Sequence, residues 1–135
     1  MANVINIDLT EVPEEEPLEP GEYTVECRAA KVKTPKSESE TVEKMIGLTL
    51  APVDYPEATP TFENLLIPKQ SVDADMKMRW LQVLKKACTV FEVQFTPQGI
   101  DVEQFIGQRA DVQLGLEEYQ GVERNNVKAY LRTAN

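Results

Sequence analysis

The nine residues 124–132, RNNVKAYLR, contain the side chains whose types and spacing are best suited to chemistry. Read as a strand, this segment places alternate side chains on opposite faces. One face is apolar and contains Val127, Ala129 and Leu131. The other face is cationic, amide-bearing and aromatic, and it is formed by Arg124, Asn126, Lys128, Tyr130 and Arg132. Such a face can neutralise anions, hydrogen-bond planar groups and stack on flat rings.

Residues of the same character occur at two other places in the chain. Lys31 and Lys33 alternate near the end of an earlier predicted strand, and Lys36 follows in the next loop. Tyr119 lies at the turn that leads into the last strand. Single-stranded nucleic acid needs cations along its phosphates and aromatic rings for its bases, and each stacked base contributes about 1–3 kcal/mol. The predicted binding surface comprises Lys31, Lys33, Lys36, Tyr119, Arg124, Asn126, Lys128, Tyr130 and Arg132.

In this predicted surface the lysines and arginines neutralise phosphates, the two tyrosines stack on bases, and Asn126 hydrogen-bonds a base edge or the backbone. Ordinary structural roles compete with these functions. An outward lysine or arginine often only blunts the edge of a sheet, and Tyr130 can instead cap the core with its ring. Tyr23 and Trp80 share the periodicity of apolar neighbours and are predicted to be core residues. An aromatic content of 7% is low for a base-stacking surface.

The residues needed for common catalytic sites are missing. The chain has no histidine, and its two cysteines, Cys27 and Cys88, are far apart in sequence, which argues against triads and cysteine-rich metal sites. No glycine-rich phosphate-binding motif occurs. Asp73 and Asp75 fit the positive start of a helix better than a cation site. We therefore expect a protein that is not an enzyme and has no metal or cofactor.

The charge is unevenly distributed along the chain. The net charge is −9, but residues 1–26 contain eight acidic and no basic residues. Residues 27–135 contain 14 basic and 15 acidic residues and are nearly neutral, so their cations can cluster. No apolar run approaches the length of a membrane span, and the start does not resemble a signal peptide. With two cysteines predicted to be buried thiols, we expect a cytoplasmic protein.

Hydrophobic periodicity predicts an arm followed by one domain. Residues 1–20 form an acidic arm, partly extended, with an alternating segment at Ile5, Ile7 and Leu9 and then a linker rich in proline and glutamate. Residues 21–135 form the domain. Its predicted strands cover 22–33, 42–53, 61–68, 109–119 and 124–132, and its helix covers 71–91, with Ser71 as the N-cap.

The predicted order of elements is β-β-β-α-β-β, which is the plan of an OB-fold, a five-stranded partly open barrel. A change of phase before Val32 predicts a bulge in the first strand, and Gly47 in mid-strand suits strong curvature. We therefore predict a mainly β, OB-fold-like domain. In that fold the second and third strands and two loops, here 34–42 and 119–123, bind oligonucleotides.

Three segments resemble the single-stranded DNA-binding proteins of tailed bacteriophages: PGEYTVE, IGLTLAPV and FIGQRADVQLGLEEYQGVERNNVKAYL. The resemblance covers about residues 20–133. It implies an OB-fold, single-stranded DNA as ligand, no catalysis, and a role in replication or recombination in the host cytoplasm. Residue by residue, the resemblance carries over only to Tyr119, Arg124, Asn126, Lys128 and Tyr130.

The acidic segment departs from this family's pattern, because acidic tails in such proteins usually lie at the C-terminus. The arm here either recruits replication or recombination proteins and masks the DNA groove from the other end, or is a solubilising leader. Two alternatives to DNA binding remain: a phage protein-interaction or virion component whose INIDL segment adds a strand to a neighbour, and an inhibitor that mimics DNA with its acidic arm. A homodimer is compatible with all of them.

Overall fold

The polypeptide folds into seven strands and one α-helix, and the computed structural model describes residues 3–12 and 16–135. The elements are β1 (Gly21–Lys33), β2 (Val42–Pro52), β3 (Thr61–Pro68), α1 (Ala74–Val90), β4 (Phe95–Thr96), β5 (Gly99–Ile100), β6 (Arg109–Tyr119) and β7 (Val122–Thr133). The predicted mainly β class and β-β-β-α-β-β order are confirmed. The short hairpin β4–β5 and the 3-10 turn Val102–Phe105 fill the segment between α1 and β6.

Five long strands form one antiparallel sheet in the order β3-β2-β1-β6-β7. The sheet does not close into a barrel, because no backbone ladder joins β3 to β7 among the described residues. Instead, the Glu63 carboxylate on β3 accepts a hydrogen bond from the Val127 N–H on β7. Helix α1 packs against both of these edge strands. One side chain and one helix therefore bridge the gap between the two edges.

The predicted bulge in β1 is confirmed, and it lies at Arg28. The pairing of β1 with β2 shifts register between Cys27 and Ala29, so one extra residue is inserted there. Before the bulge, Gly21–Glu26 pairs with β6, and Val25–Lys33 pairs with β2 across it. Because a bulge bends the strand and increases its twist, β1 can join the two halves of the sheet.

The core lies between the inner face of the sheet, the C-terminal part of α1 and the 3-10 turn. Phe91 and Phe105 are fully buried and meet edge to face, with ring centroids 5.7 Å apart. The alternation of apolar residues predicts that Ile46, Leu48 and Leu50 on β2 and Ala110, Val112, Leu114 and Leu116 on β6 face inward. All of them are buried except Leu116, which is exposed. Burial raises the pKa of both thiols, Cys27 and Cys88, to about 11.

The N-cap of helix α1 lies two residues later than predicted. Asp73, not Ser71, is the cap, because its carboxylate accepts hydrogen bonds from the backbone N–H groups of Asp75 and Met76. The helix buries only its C-terminal part, and Trp80 is partly buried, not a full member of the core. No helix in the described part of the chain is long and apolar enough to span a bilayer.

The alternating segment of the arm, which is typical of a short strand, does not form one. Residues 3–12 contain no strand, and their apolar side chains are exposed. Part of the predicted linker, residues 13–15, lies outside the described residues. The arm is attached to the domain at Leu18, whose N–H donates to Asn125 Oδ1 (2.9 Å) and whose carbonyl accepts from Asn125 Nδ2 (2.8 Å). The Asn125 amide thus pairs with the arm as a strand backbone would.

Candidate nucleic-acid interface

The outer face of β1, β2 and β3 carries the first part of the candidate site. Strand register places Lys31 and Asn64 on either side of Gly47, and Phe62 opposite Thr49. Directly paired residues share a face of the sheet, and the alternate residues of β2 are buried in the core. These side chains therefore lie on the solvent face of the two strands that an OB-fold uses for oligonucleotides.

Lys33 lies across Gly47 on this outer face. A Cβ built on Gly47 would be 2.6 Å from Lys33 Cε and 2.9 Å from its Nζ. The absence of a side chain at Gly47 leaves room for the end of the lysine chain, which could move aside if a side chain were present. The sequence had suggested this glycine only as a point of strand curvature. Within residues 3–12 and 16–135, neither Lys31 nor Lys33 forms a salt bridge. Both ammonium groups are available to an anionic ligand.

Phe62 is the most exposed aromatic side chain of the described residues, at 67%. It lies beside a concavity of about 260 Å³ where the edges of β3 and β7 diverge. The walls come from the arm, the β2–β3 loop and the two strands. They are formed by Glu16, Pro17, Ala58, Thr59, Pro60, Phe62, Val122, Glu123, Arg124 and Asn125. The concavity combines apolar walls with carboxylates, so it suits a flat uncharged group better than a phosphate.

The β6–β7 turn brings Tyr119 and Arg124 together. The Arg124 guanidinium carbon lies 4.4 Å from the centroid of the Tyr119 ring, a cation–π contact. Arg124 Nε also pairs with Glu117 Oε1 at 2.6 Å. One face of the Tyr119 ring is therefore covered and the charge of Arg124 is partly neutralised. Because Arg124 lines the same concavity as Phe62, the turn adjoins the outer face of β3.

Two bulges in β7 change which side chains face the core. Register shifts leave Lys128 and Leu131 as extra residues, so Tyr130 pairs with the buried Val112. The predicted outward position of Tyr130 is wrong: its ring packs on the core, with its centroid 6.2 Å from that of Phe91. Burial, followed by the charge of Glu63, raises the pKa of the Tyr130 phenol. This ring is not available to stack on a base.

The predicted residues Asn126, Lys128 and Arg132 lie on β7 and do not share the surface of Lys31 and Lys33. Arg132 pairs with Glu22 (2.7 Å) and Asp111 (3.1 Å) on the outer face of β1 and β6. Lys128 crosses Gly115, where a Cβ would lie 2.5 Å from Lys128 Cε. Asn126 donates to Glu117 at 3.2 Å. Lys36 is exposed in the β1–β2 loop.

The cationic face of the last strand was expected to lie on a strand paired with that of Lys31 and Lys33, and this pairing is wrong. Strand β7 pairs with β6 and not with β1, so β6 lies between the β7 cations and the strand that carries Lys31 and Lys33. The concavity brings Arg124 together with Phe62, and the cation–π contact joins Tyr119 to Arg124. Lys31 and Lys33 lie on the same outer sheet face as Phe62, but β2 separates their strand from β3. The structure places Arg132 among carboxylates and Tyr130 in the core.

Glu63 is a carboxylate at this edge whose pKa is raised by its surroundings. Desolvation raises its pKa above the ordinary value of 4.5, and the neighbouring charge of Glu117 adds to this effect. The hydrogen bond from Val127 and the charges of Arg124 and Lys128 oppose the shift. The carboxylate that bridges β3 and β7 is therefore held in a partly desolvated position.

Phe62 was missed by the sequence reasoning, although a signal for it exists. In TFENLLIP, the buried positions Thr61 and Leu65 have one parity, and Phe62 and Asn64 have the other. An aromatic residue on the polar parity of a predicted third OB strand indicates a ring on the binding face. Among the described residues, no cluster of three or more cysteines or carboxylates is placed to hold a metal ion.

A family described as "Protein of unknown function (DUF669)" matches residues 5–135, and the chain belongs to this family. No curated protein matches the sequence. The match begins within the arm and spans the whole sheet, so arm and domain belong to the same family unit.

Proposed function

We propose that this protein binds single-stranded DNA without catalysis and largely without sequence preference. The observation that carries the proposal is the exposed ring of Phe62 on the same outer sheet face as Lys31 and Lys33, neither of which forms a salt bridge with another described residue. An aromatic ring and cations on one sheet face fit single-stranded DNA, because the ring can stack on a base while the cations neutralise phosphates.

The geometry favours a division of labour across the surface. Lys31 and Lys33, with Lys36 in the adjacent loop, neutralise phosphates, while Phe62 and the open face of Tyr119 stack on bases. The carboxylates of Glu16 and Glu123 border the concavity and repel phosphates. The backbone of the DNA is therefore directed over β1 and β2, and one base turns toward the gap between β3 and β7.

The biological setting follows from the resemblance to phage proteins together with the fold. The domain has the OB order of elements, an exposed aromatic residue on β3 and an acidic arm. These features fit a protein that binds single-stranded DNA during phage replication or recombination in the host cytoplasm. The arm provides a surface for replication or recombination proteins, because its acidic and apolar side chains are exposed.

A titration with fluorescently labelled oligo(dT), followed by anisotropy at two salt concentrations, tests this function. We expect a complex that weakens as salt rises, because phosphate contacts release counterions. A duplex of the same length serves as the control and should bind more weakly. Binding that is absent at low salt, or that is insensitive to salt, would exclude the proposal.

A further inference from the structure

Helix α1 carries apolar side chains on the face that points away from the core. Met78, Leu81 and Lys85 recur at helical spacing on the side opposite Ala87, and Met78 is 58% exposed. The Phe95 ring extends this line, with the Lys85 ammonium 5.7 Å from its centroid. We call Met78, Leu81, Lys85 and Phe95 the outer stripe.

The helix that bears the outer stripe is basic, in contrast to the chain as a whole. Residues 74–90 contain four basic residues and one acidic residue, although the chain has a net charge of −9. None of the four forms a salt bridge with another described residue. The basic residues are Lys77, Arg79, Lys85 and Lys86. A ligand for this face should therefore be both apolar and acidic.

The arm has these two properties. Val4, Ile5, Ile7, Leu9 and Val12 are 58–81% exposed in the described structure. Between them lie Asp8 and Glu11, and residues 1–19 contain six acidic and no basic residues. The hydrogen bonds described for residues 3–12 are local, such as those from Thr10 to Asp8. Among the described residues of a single chain, nothing covers this apolar segment.

We infer that residues 4–12 of one copy dock on the outer stripe of a second copy, with the exchange reciprocated to give a dimer. Apolar side chains of the arm cover Met78, Leu81 and Phe95, and Asp8 and Glu11 lie near Lys85 and Lys86. The arm and the outer stripe belong to the same polypeptide, so a dimer with two-fold symmetry contains the arm–stripe contact twice and covers both surfaces of each copy. The contact uses neither Phe62 nor Lys31 and is independent of nucleic acid.

Sedimentation velocity over a series of protein concentrations, without nucleic acid, tests the exchange. The wild-type chain should form a dimer as its concentration rises. The helix variant carries Lys85→Glu with Lys86→Glu, and the arm variant carries Asp8→Lys with Glu11→Lys. In each variant like charges meet at the contact, so the dissociation constant of the dimer should rise by about tenfold or more. The control variant, Lys44→Glu with Lys69→Glu, has the same change in net charge as the helix variant and should dimerise as the wild type does.

Mixing the two variants gives the sharpest result. In a mixed dimer the native arm of the helix variant meets the native helix of the arm variant, and the two charge-reversed surfaces meet each other. An equimolar mixture should therefore dimerise at concentrations at which each variant alone stays monomeric. Circular dichroism establishes that each variant is folded. A wild-type chain that stays monomeric, a dimer unaffected by either variant, or arm amides protected from hydrogen exchange in the monomer would overturn the inference.

Discussion

The aromatic side chains around the gap between β3 and β7 have three different environments. Phe62 is open to solvent, Tyr119 has one face covered by Arg124, and Tyr130 is packed on Phe91. Their capacity to stack on a base therefore decreases in that order. At the scale of single residues, the candidate site depends mainly on Phe62.

Replacing Phe62 with alanine should weaken oligo(dT) binding by about 1–3 kcal/mol, which is roughly 5- to 150-fold in Kd. The free energy of unfolding should change little, because the ring is largely exposed. Tyr55→Ala, which truncates another exposed aromatic residue outside the surface, is the matched control in the same anisotropy titration. Equal affinities for wild type and Phe62→Ala would show that Phe62 is not the platform.

Glu63 should make stability depend on pH in a defined direction. Because its pKa is raised in the folded state, the native protein holds the proton more tightly than the unfolded chain does. Stability therefore falls as pH rises from the unfolded value, near 4.5, through the folded value. Glu63→Gln removes the buried charge and retains an acceptor for Val127, so it should be more stable than wild type at pH 7.

Urea unfolding at several pH values measures this difference. The advantage of Glu63→Gln should disappear near pH 4, where Glu63 is protonated in both states. Glu57→Gln, at an exposed position, is the control and should show no such trend. A constant difference between Glu63→Gln and wild type across the pH range would contradict a desolvated carboxylate at the gap.

At the scale of elements, alternation alone predicted β1, β2, β3 and β6 well. The phase slip before Val32 even predicted the bulge in β1, because apolar residues change parity there. Strand β7 could not be predicted in the same way, since apolar side chains occupy both parities at Val127, Tyr130 and Leu131. Only pairing with β6 decides which of them face the core, and the two bulges turn Tyr130 inward.

The pairing of β1 with β2 places Lys31 and Lys33 on the same face of the sheet, and their contribution to DNA binding can be predicted quantitatively. Each phosphate contact contributes about 0.7 to the slope of log K against log salt for single strands, so Lys31→Gln with Lys33→Gln should reduce the slope by about 1.4. Lys44→Gln with Lys69→Gln has the same charge change and should leave the slope unaltered. A slope that is equal in the two double variants would remove Lys31 and Lys33 from the interface.

At the scale of the whole molecule, the chain has a net charge of −9 and its proposed ligand, DNA, is also negatively charged. Long-range repulsion between them is expected to weaken binding. Neutralising the arm by Asp8→Asn with Glu11→Gln should tighten oligo(dT) binding at low salt. The effect should fade at high salt, where screening shortens the reach of charge to a few ångströms. Measurements at protein concentrations below any self-association keep the two roles of the arm apart.

A charge-matched variant of the domain, Asp75→Asn with Glu103→Gln, distinguishes general repulsion from masking by the arm. Both residues are exposed, and both double variants have the same net charge. If the arm covers the binding face, its variant should tighten binding more than the domain variant does. Identical gains would assign the whole effect to net charge and reject masking.

The single hydrogen bond between Glu63 and Val127 has a consequence for motion. Elsewhere in the sheet, neighbouring strands are joined by many backbone hydrogen bonds that must break together, whereas β3 and β7 are held by one acceptor and by helix α1. Parting these edges breaks few hydrogen bonds, so we expect the Val127 amide to exchange with solvent through a local opening well before the protein unfolds. The protein thus contains a seam at which the sheet can widen while the rest of it remains intact.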